Sequence, residues 1–261
     1  MESICQTMNA LASETWAHLE LGPELGYGQP DERALMDHHL IELSRQHQER
    51  VRVRKFDLAE ETVSGADFEW WIVDDNGSLG MRVQAKKLDL SRSAYRQLRH
   101  GGDGHSQVDQ LIGRAQAHGL LPLYLFFNGP TEGSQTDRCP RHTGEERGCT
   151  LARADEVKQV IEHETTSAAE VAAISWPWQC LLCCPAFGSA SASERAFRRL
   201  EHGQPMPGAV LWTEAPAYVH DLLLAGSSEA EQGATVGEPE AIGEVDAEPL
   251  PSAATVLAMR I

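Results

Sequence analysis

Positive charge is scarce in this chain. Of 261 residues, 22 are Lys or Arg against 39 Asp or Glu, which leaves a formal net charge of −17. A broadly basic surface for nonspecific nucleic-acid binding is thereby excluded, so any polyanion has to be met by a local cluster. Aromatic residues make up only 6 %. No apolar run approaches the 18 or so residues of a membrane span, and no contact with a membrane is expected. The opening MESICQTMNALASETW has neither a basic start nor an apolar stretch behind it, so no secretory signal is expected. Six cysteines in a chain of this length do not make a disulfide framework. Reduced thiols in a cytoplasmic protein are the expectation.

What is present suits a globular domain: hydrophobic residues reach 41 %, enough for a sizeable core. Residues 1–30 read as an N-terminal extension, with a short helix near 7–20 and a Gly/Pro-rich loop after it. Asp31 is a good N-cap for a helix to about residue 47, in which Met36, Leu40 and Leu43 keep helical spacing. VRVRKF (51–56) reads as a strand with one wet face. ADFEWWIV (66–73) and MRVQAKKL (81–88) read as two strands of a hairpin, joined through Asn-Gly by a loop longer than the tight two-residue kind. A helix from about 106 to 119 and a buried strand, LPLYLFFN (121–128), complete an α/β core over 31–128.

Residues 129–226 read as a C-terminal helical extension packed on that core. It has a long loop over 129–152, helices near 153–165, 192–202 and 216–225, and SWPWQCLLCCPAF as a strand or buried loop. Residues 227–261 carry seven acidic residues and one basic residue, and read as an acidic disordered tail.

On a strand, alternate side chains share a face. Asp67 and Glu69 therefore lie on one side of the hairpin and Ala66, Phe68, Trp70 and Ile72 on the other. If the apolar faces coincide, Gln84 and Lys86, with Arg82, join Asp67 and Glu69. A carboxylate and an amide oxygen are hard ligands suited to Mg²⁺, and a lysine beside them can orient an attacking water. The competing reading of an Asp–Lys or Glu–Lys pair across a hairpin is a surface salt bridge, and Glu69 has Arg82 as an obvious partner. Trp70 and Trp71 are adjacent, so only one is expected in the core; Trp71 is left to cover the site or the hairpin edge.

Asp67, a hairpin, and then Gln84-Ala85-Lys86 resemble the PD-(D/E)xK nuclease superfamily in its QxK variant, and the order helix, strand, hairpin, helix, strand resembles its restriction-endonuclease-like core. GADFEWW followed by VQAKKL also resembles a narrower, largely uncharacterised microbial family of domains of unknown function, from ERALMD to PLYLFFN and more loosely through GCTLA and WPWQCLLCC. The resemblance implies a mixed sheet flanked by helices and a Mg²⁺- or Mn²⁺-dependent nuclease, with DNA favoured over RNA, of the kind used in restriction or antiviral defence. Asp67 and Gln84 would be metal ligands and Lys86 the catalytic lysine. Glu32 would be the additional glutamate of the first helix, with Glu42 as competitor and Glu61 as a third candidate. Glu69 would belong to the ligand shell. Gln107, Gln110 and Arg114, at roughly i, i+3, i+7, would face substrate, and Arg92 and Arg96, together with Arg99, would hold phosphates. A homodimer or an activating protein partner is in keeping with such a domain.

The sequence departs from the superfamily pattern in two places: Ala66 replaces the proline, and Gln84 removes one negative charge from the metal site. Gln84 keeps open a catalytically inactive nuclease-like module that binds nucleic acid or a protein. A purely structural or interaction protein is the third alternative.

A second constellation is made of sulfur. Cys139-x2-His142, Cys149 and Cys180-x2-Cys183, with Cys184 adjacent, are candidate ligands for a structural Zn²⁺; buried free thiols are the competing reading. Among the scattered histidines His39 alone stands out, one turn beyond Met36 on the Glu32 face.

Overall fold

The computed structural model describes residues 2–26, 28–55, 66–99, 107–132, 138–139, 141–184, 190–201, 206–228 and 255–261. Among them, eight strands form one mixed sheet: β1 (Val51–Lys55), β2 (Phe68–Asp74), β3 (Gly77–Lys87), β4 (Leu121–Phe127), β5 (Cys149–Arg153), β6 (Trp176–Pro177), β7 (Leu211–Trp212) and β8 (Thr255–Arg260). The spatial order is β1-β8-β2-β3-β4-β5-β6, and β7 pairs with the stretch of β3 that β4 does not reach. β8 runs parallel to β2 and β4 parallel to β3; the other pairs are antiparallel. The helices are α1 (Ile4–Glu24), α2 (Glu32–Gln46), α3 (Gln107–Ala117), α4 (Ala154–Glu162), α5 (Ala168–Ile174), α6 (Cys180–Cys183), α7 (Ala192–Glu201) and α8 (Ala217–Ser228). The fold is a mixed α/β sheet flanked by helices.

Both faces of the sheet are covered. Phe68, Trp70, Ile72, Met81, Val83 and Ala85 pack beneath α1, α2, α6 and α7. On the opposite face Tyr124 and Phe126 meet α3, α4 and α5, and Trp71 and Val73 meet Ala215 and α8. The expectation of a single buried tryptophan therefore fails. Trp70 and Trp71 are 1 % and 0 % exposed on opposite sides, because neither face of β2 is wet. Trp71 stacks edge-on against Trp212 and Tyr218. It also explains Gly80 in the facing strand: a Cβ there would come within 2.6 Å of the Trp71 ring.

The hairpin is tighter than its sequence suggests. Asp74 pairs with Gly77, which leaves a two-residue turn, and the Asn76 amide donates to Asp74 Oδ1 at 2.9 Å. The small residues Gly77, Ser78 and Gly80 are strand, not loop. Two further differences concern the C-terminal part. Residues 149–153, read as the end of a loop, form β5, so the segment after 128 adds strands to the core sheet. The last six residues of the supposed tail before Ile261 form β8, inserted between β1 and β2. Residues 229–254, the bulk of that tail, lie outside the described residues. At the other end, α1 is an integral layer and not an appendage: Met8, Leu11, Ala12 and Leu19 are buried in the main core.

Two of the cysteines are not reduced. Cys5 on α1 is disulfide-bonded to Cys183 on α6, across 178 residues of sequence and a Cα–Cα distance of 5.7 Å. Among the described residues no helix is long and apolar enough to cross a membrane.

Candidate functional site

The site begins at the start of α2. Asp31 caps the helix, its carboxylate accepting from the Ala34 amide at 2.7 Å, with the free N–H groups and positive dipole end of the helix favouring acidic residues there. Glu32, the first residue of the helix, is thereby aimed at the end of β3. Its Oε2 accepts from the Lys87 amide at 2.9 Å, and its Oε1 lies 3.9 Å from Lys86 Nζ. Lys87 Nζ donates to the Pro30 carbonyl at 2.5 Å, tying the entry of α2 to the same strand.

Asp67 stands just ahead of β2, its amide donating to the Val83 carbonyl at 2.9 Å. Its Oδ2 accepts from Gln84 Nε2 at 2.5 Å and from the Ala85 amide at 2.6 Å. Gln84 Oε1 accepts in turn from Gln107 Nε2, at the start of α3, at 3.0 Å. Three of the residues singled out in sequence, Asp67, Gln84 and Gln107, thus form one hydrogen-bonded chain, and Glu32 and Lys86 form a second cluster beside it.

Asp67 and Glu32 line the rim of an open cleft of about 820 Å³, together with Asp31, Arg33, Ala85, Lys87, Asp89 and Arg96. Gln84 and Lys86 are 3 % and 4 % exposed and stand directly behind that wall. Lys86 is therefore no surface salt-bridge partner. Burial pushes the Glu32 carboxyl up from its ordinary range to about 7; Lys86 opposes this and the nearby Asp67 charge reinforces it. The cleft thus joins the carboxylates of Asp31, Glu32, Asp67 and Asp89 with the cations Arg33, Lys87 and Arg96, and Lys86 stands close to Glu32.

Other expected site residues go elsewhere. Glu69 is fully buried and accepts from Trp71 Nε1 at 3.3 Å and from the Tyr218 hydroxyl at 2.7 Å. It sits opposite Arg82 in the strand register and acts on it electrostatically. Glu69 is thus a partner inside the α8 layer, two residues too far along β2 to reach the cleft. Glu42 holds Arg45 on the outside of α2, with Oε2 2.6 Å from Nη2. Gln110 is exposed, Arg114 is half-buried near Arg82, and neither lines the cleft. Arg92 and Arg96 both approach Asp89, at 4.0 and 3.6 Å, and Arg96 alone of the two lines the cleft. Glu61 lies outside the described residues. His39 points away from the site into the core, where Nε2 meets Thr15 Oγ1 at 2.8 Å and Cys149 Sγ lies 3.9 Å from Nδ1. Burial drives its pKa down to about 3. The cleft residues that sequence reasoning missed are Arg33 and Lys87, which adjoin Glu32 and Lys86, and Asp89, for which the sequence carries no signal.

The model spanning residues 4–252 that matches the chain is described as a family of unknown function, DUF6615. The chain belongs to that family. It takes in the hairpin, the cleft residues and the cysteine segments together, and the β8 strand falls beyond the matched range. Among proteins with curated descriptions none matches the chain.

A Cys/His cluster lies apart from the cleft. Ligand atoms of Cys139, His142, Cys180 and Cys184 all fall within 4.8 Å of one another, so the group could hold a metal such as zinc. Its composition corrects the sequence expectation at two positions. Cys183 is consumed by its bond to Cys5. Cys149 is buried beside Thr15 and His39, its sulfur 3.5 Å from Thr15 Oγ1. Cys184 takes the fourth place.

Proposed function

We propose that the Asp67–Gln84–Lys86–Glu32 cleft hydrolyses phosphodiester bonds of nucleic acid, DNA in preference to RNA, with Mg²⁺ or Mn²⁺. One observation carries this reading: Asp67 and Glu32 line one cleft, and the buried Gln84 and Lys86 meet them from behind, a combination similar to the QxK variant of the PD-(D/E)xK superfamily. The donor set suits a hard divalent cation, since it offers two carboxylates and a primary amide. Burial raises the Glu32 carboxyl to about 7, and a cation between it and Asp67 would favour its charged form. One rotation is required. Gln84 now presents Nε2 to Asp67, and half a turn of its amide brings Oε1 round instead.

When bound, the cation would offset the negative charge that builds on the phosphate. The remaining work falls to the chain. Lys86 Nζ, held near Glu32 behind the cleft wall, would donate a hydrogen bond to the attacking water and fix its position. Arg33, Lys87 and Arg96 would hold the flanking phosphates, which reconciles a chain of net charge −17 with a polyanionic substrate. The water oxygen bonds to phosphorus as the ester P–O bond breaks; the water releases one proton to solvent and the leaving oxygen takes one up from solvent, so that a phosphate monoester and an alcohol result.

The test is incubation of the purified protein with plasmid, linear and single-stranded DNA and with RNA, in Mg²⁺ or Mn²⁺, beside Lys86→Ala and Asp67→Asn. Cleavage is expected that is lost on chelation and falls by about 10²-fold or more in either variant. No cleavage in any condition, with no thermal shift from either cation, overturns the reading. A second reading, a module that binds nucleic acid or protein without cutting, is favoured by the closed hydrogen-bond chain from Gln107 through Gln84 to Asp67. Nucleic-acid binding that needs no cation and is unchanged in Lys86→Ala would select it.

A further inference from the structure

Sulfur and imidazole meet where the segment before β5 passes α6. Cys139 and Cys184 place their Sγ atoms 3.7 Å apart, and Cys184 and Cys180 place theirs 3.2 Å apart. Two thiolates on a tetrahedral zinc at about 2.3 Å each are about 3.8 Å from one another, so the sulfurs are already near metal-bound spacing. The three cysteines are at most 8 % exposed and share a small buried cluster with Trp176.

His142 supplies the second kind of observation. Its Nδ1 is engaged by Glu146 Oε2 at 3.2 Å, the carboxylate–imidazole arrangement that orients a ligand through the other ring nitrogen. Arg199 adds a positive charge that acts on Cys184 electrostatically.

We propose that Cys139, His142, Cys180 and Cys184 form a structural Zn²⁺ site, with three thiolates and one imidazole as the complete ligand set. Four protein ligands fill a tetrahedron and leave no position for substrate, so the role is to hold parts together. The parts are identifiable. Glu146, which orients His142, also accepts from Asn9 of α1 at 2.7 Å through Oε1, and its carbonyl accepts from Gln179 Nε2 at 2.9 Å. The metal would therefore fasten α6 and the segment preceding β5 to the layer that α1 makes over the sheet. Close packing there leaves little slack, since a Cβ at Gly148 would lie 1.8 Å from the Ala12 carbonyl oxygen.

The experiment is zinc analysis of the full chain purified without chelator, followed by Co²⁺ exchange. One equivalent of zinc is expected. The cobalt form should show intense tetrahedral ligand-field bands and thiolate charge transfer. Cys184→Ser and His142→Ala should lose most of the zinc, whereas Cys149→Ser and Cys5→Ser should keep it. Glu146→Gln, a positioning change, should retain the cobalt spectrum but bind about 10- to 100-fold more weakly. The proposal is overturned if wild-type protein, reduced, loaded with excess zinc and desalted, holds none. It is equally overturned if Cys184→Ser and His142→Ala both keep a full equivalent, or if peptide mapping of the native protein finds Cys139 disulfide-bonded to Cys180 or Cys184.

Discussion

Glu32 and His39 sit seven residues apart on one helix and respond to pH in opposite senses. Glu32 is raised from 4.5 to about 7 by burial. Without a cation, its contribution to stability is therefore full below about pH 4.5 and is lost as pH rises through about 7. His39 is lowered from 6.5 to about 3 by burial. The unfolded chain takes up its proton first, so His39 costs stability as pH falls from about 6.5 towards 3. Each effect is limited to about 1.4 kcal/mol per pH unit. Between about pH 4.5 and 6.5 the two oppose one another. Denaturant melts in chelator should give a shallow wild-type slope there and a steeper rise with pH in Glu32→Gln. That variant should also be more stable than wild type at pH 8, by on the order of 1–3 kcal/mol. Equal slopes in the two proteins would refute this account of Glu32.

The cleft depends on how α2 begins. Asp31→Ala removes the cap of that helix and should cost about 1 kcal/mol in a thermal or denaturant melt. Because Glu32 is the next residue, the variant should also weaken any cation-induced stabilisation, whereas loss of the Glu42–Arg45 pair further along α2 should not. An unchanged melt in Asp31→Ala would mean that the first turn is held by Glu32 and Lys87 alone. These elements could be read in the sequence because their signals are local. The Asp31 cap, the spacing of Met36, Leu40 and Leu43, and the alternation through GADFEWW and VQAKK identify α2 and the β2–β3 hairpin without tertiary information. Asp67, Gln84 and Lys86 could be placed on one face for the same reason. Glu69 obeys the same alternation yet takes the Arg82 alternative and leaves the cleft, because α8 covers that part of the face and periodicity does not report which helix lies above a strand. β5 was hidden by its burial on both faces, which erases alternation. The cysteine cluster was half legible. Spacing picks out Cys139, His142 and Cys180, but the choice between Cys183 and Cys184 is made by Cys5, at the other end of the chain.

At the scale of the whole molecule, two long-range closures hold the layers together. The Cys5–Cys183 bond joins α1 to α6. On the chain-entropy account a loop of that length contributes up to about 5 kcal/mol. A reductant that leaves the fold intact should lower the melting temperature of the wild type and leave Cys5→Ser unchanged; equal shifts in both would assign the effect to other thiols. The second closure is β8, which pairs antiparallel with β1 on one side and parallel with β2 on the other. Its residues Val256, Leu257, Ala258 and Met259 are at most 1 % exposed. The ribosome delivers this strand about 200 residues after β1 and about 180 after β2. Until then the two earlier strands have a gap of one strand's width between them, lined by open hydrogen-bonding edges. Closure of the sheet in that sense waits on a strand far along the chain. A chain truncated before residue 255 keeps every residue of the cleft but has two exposed strand edges, which makes it a substrate for chaperones and proteases.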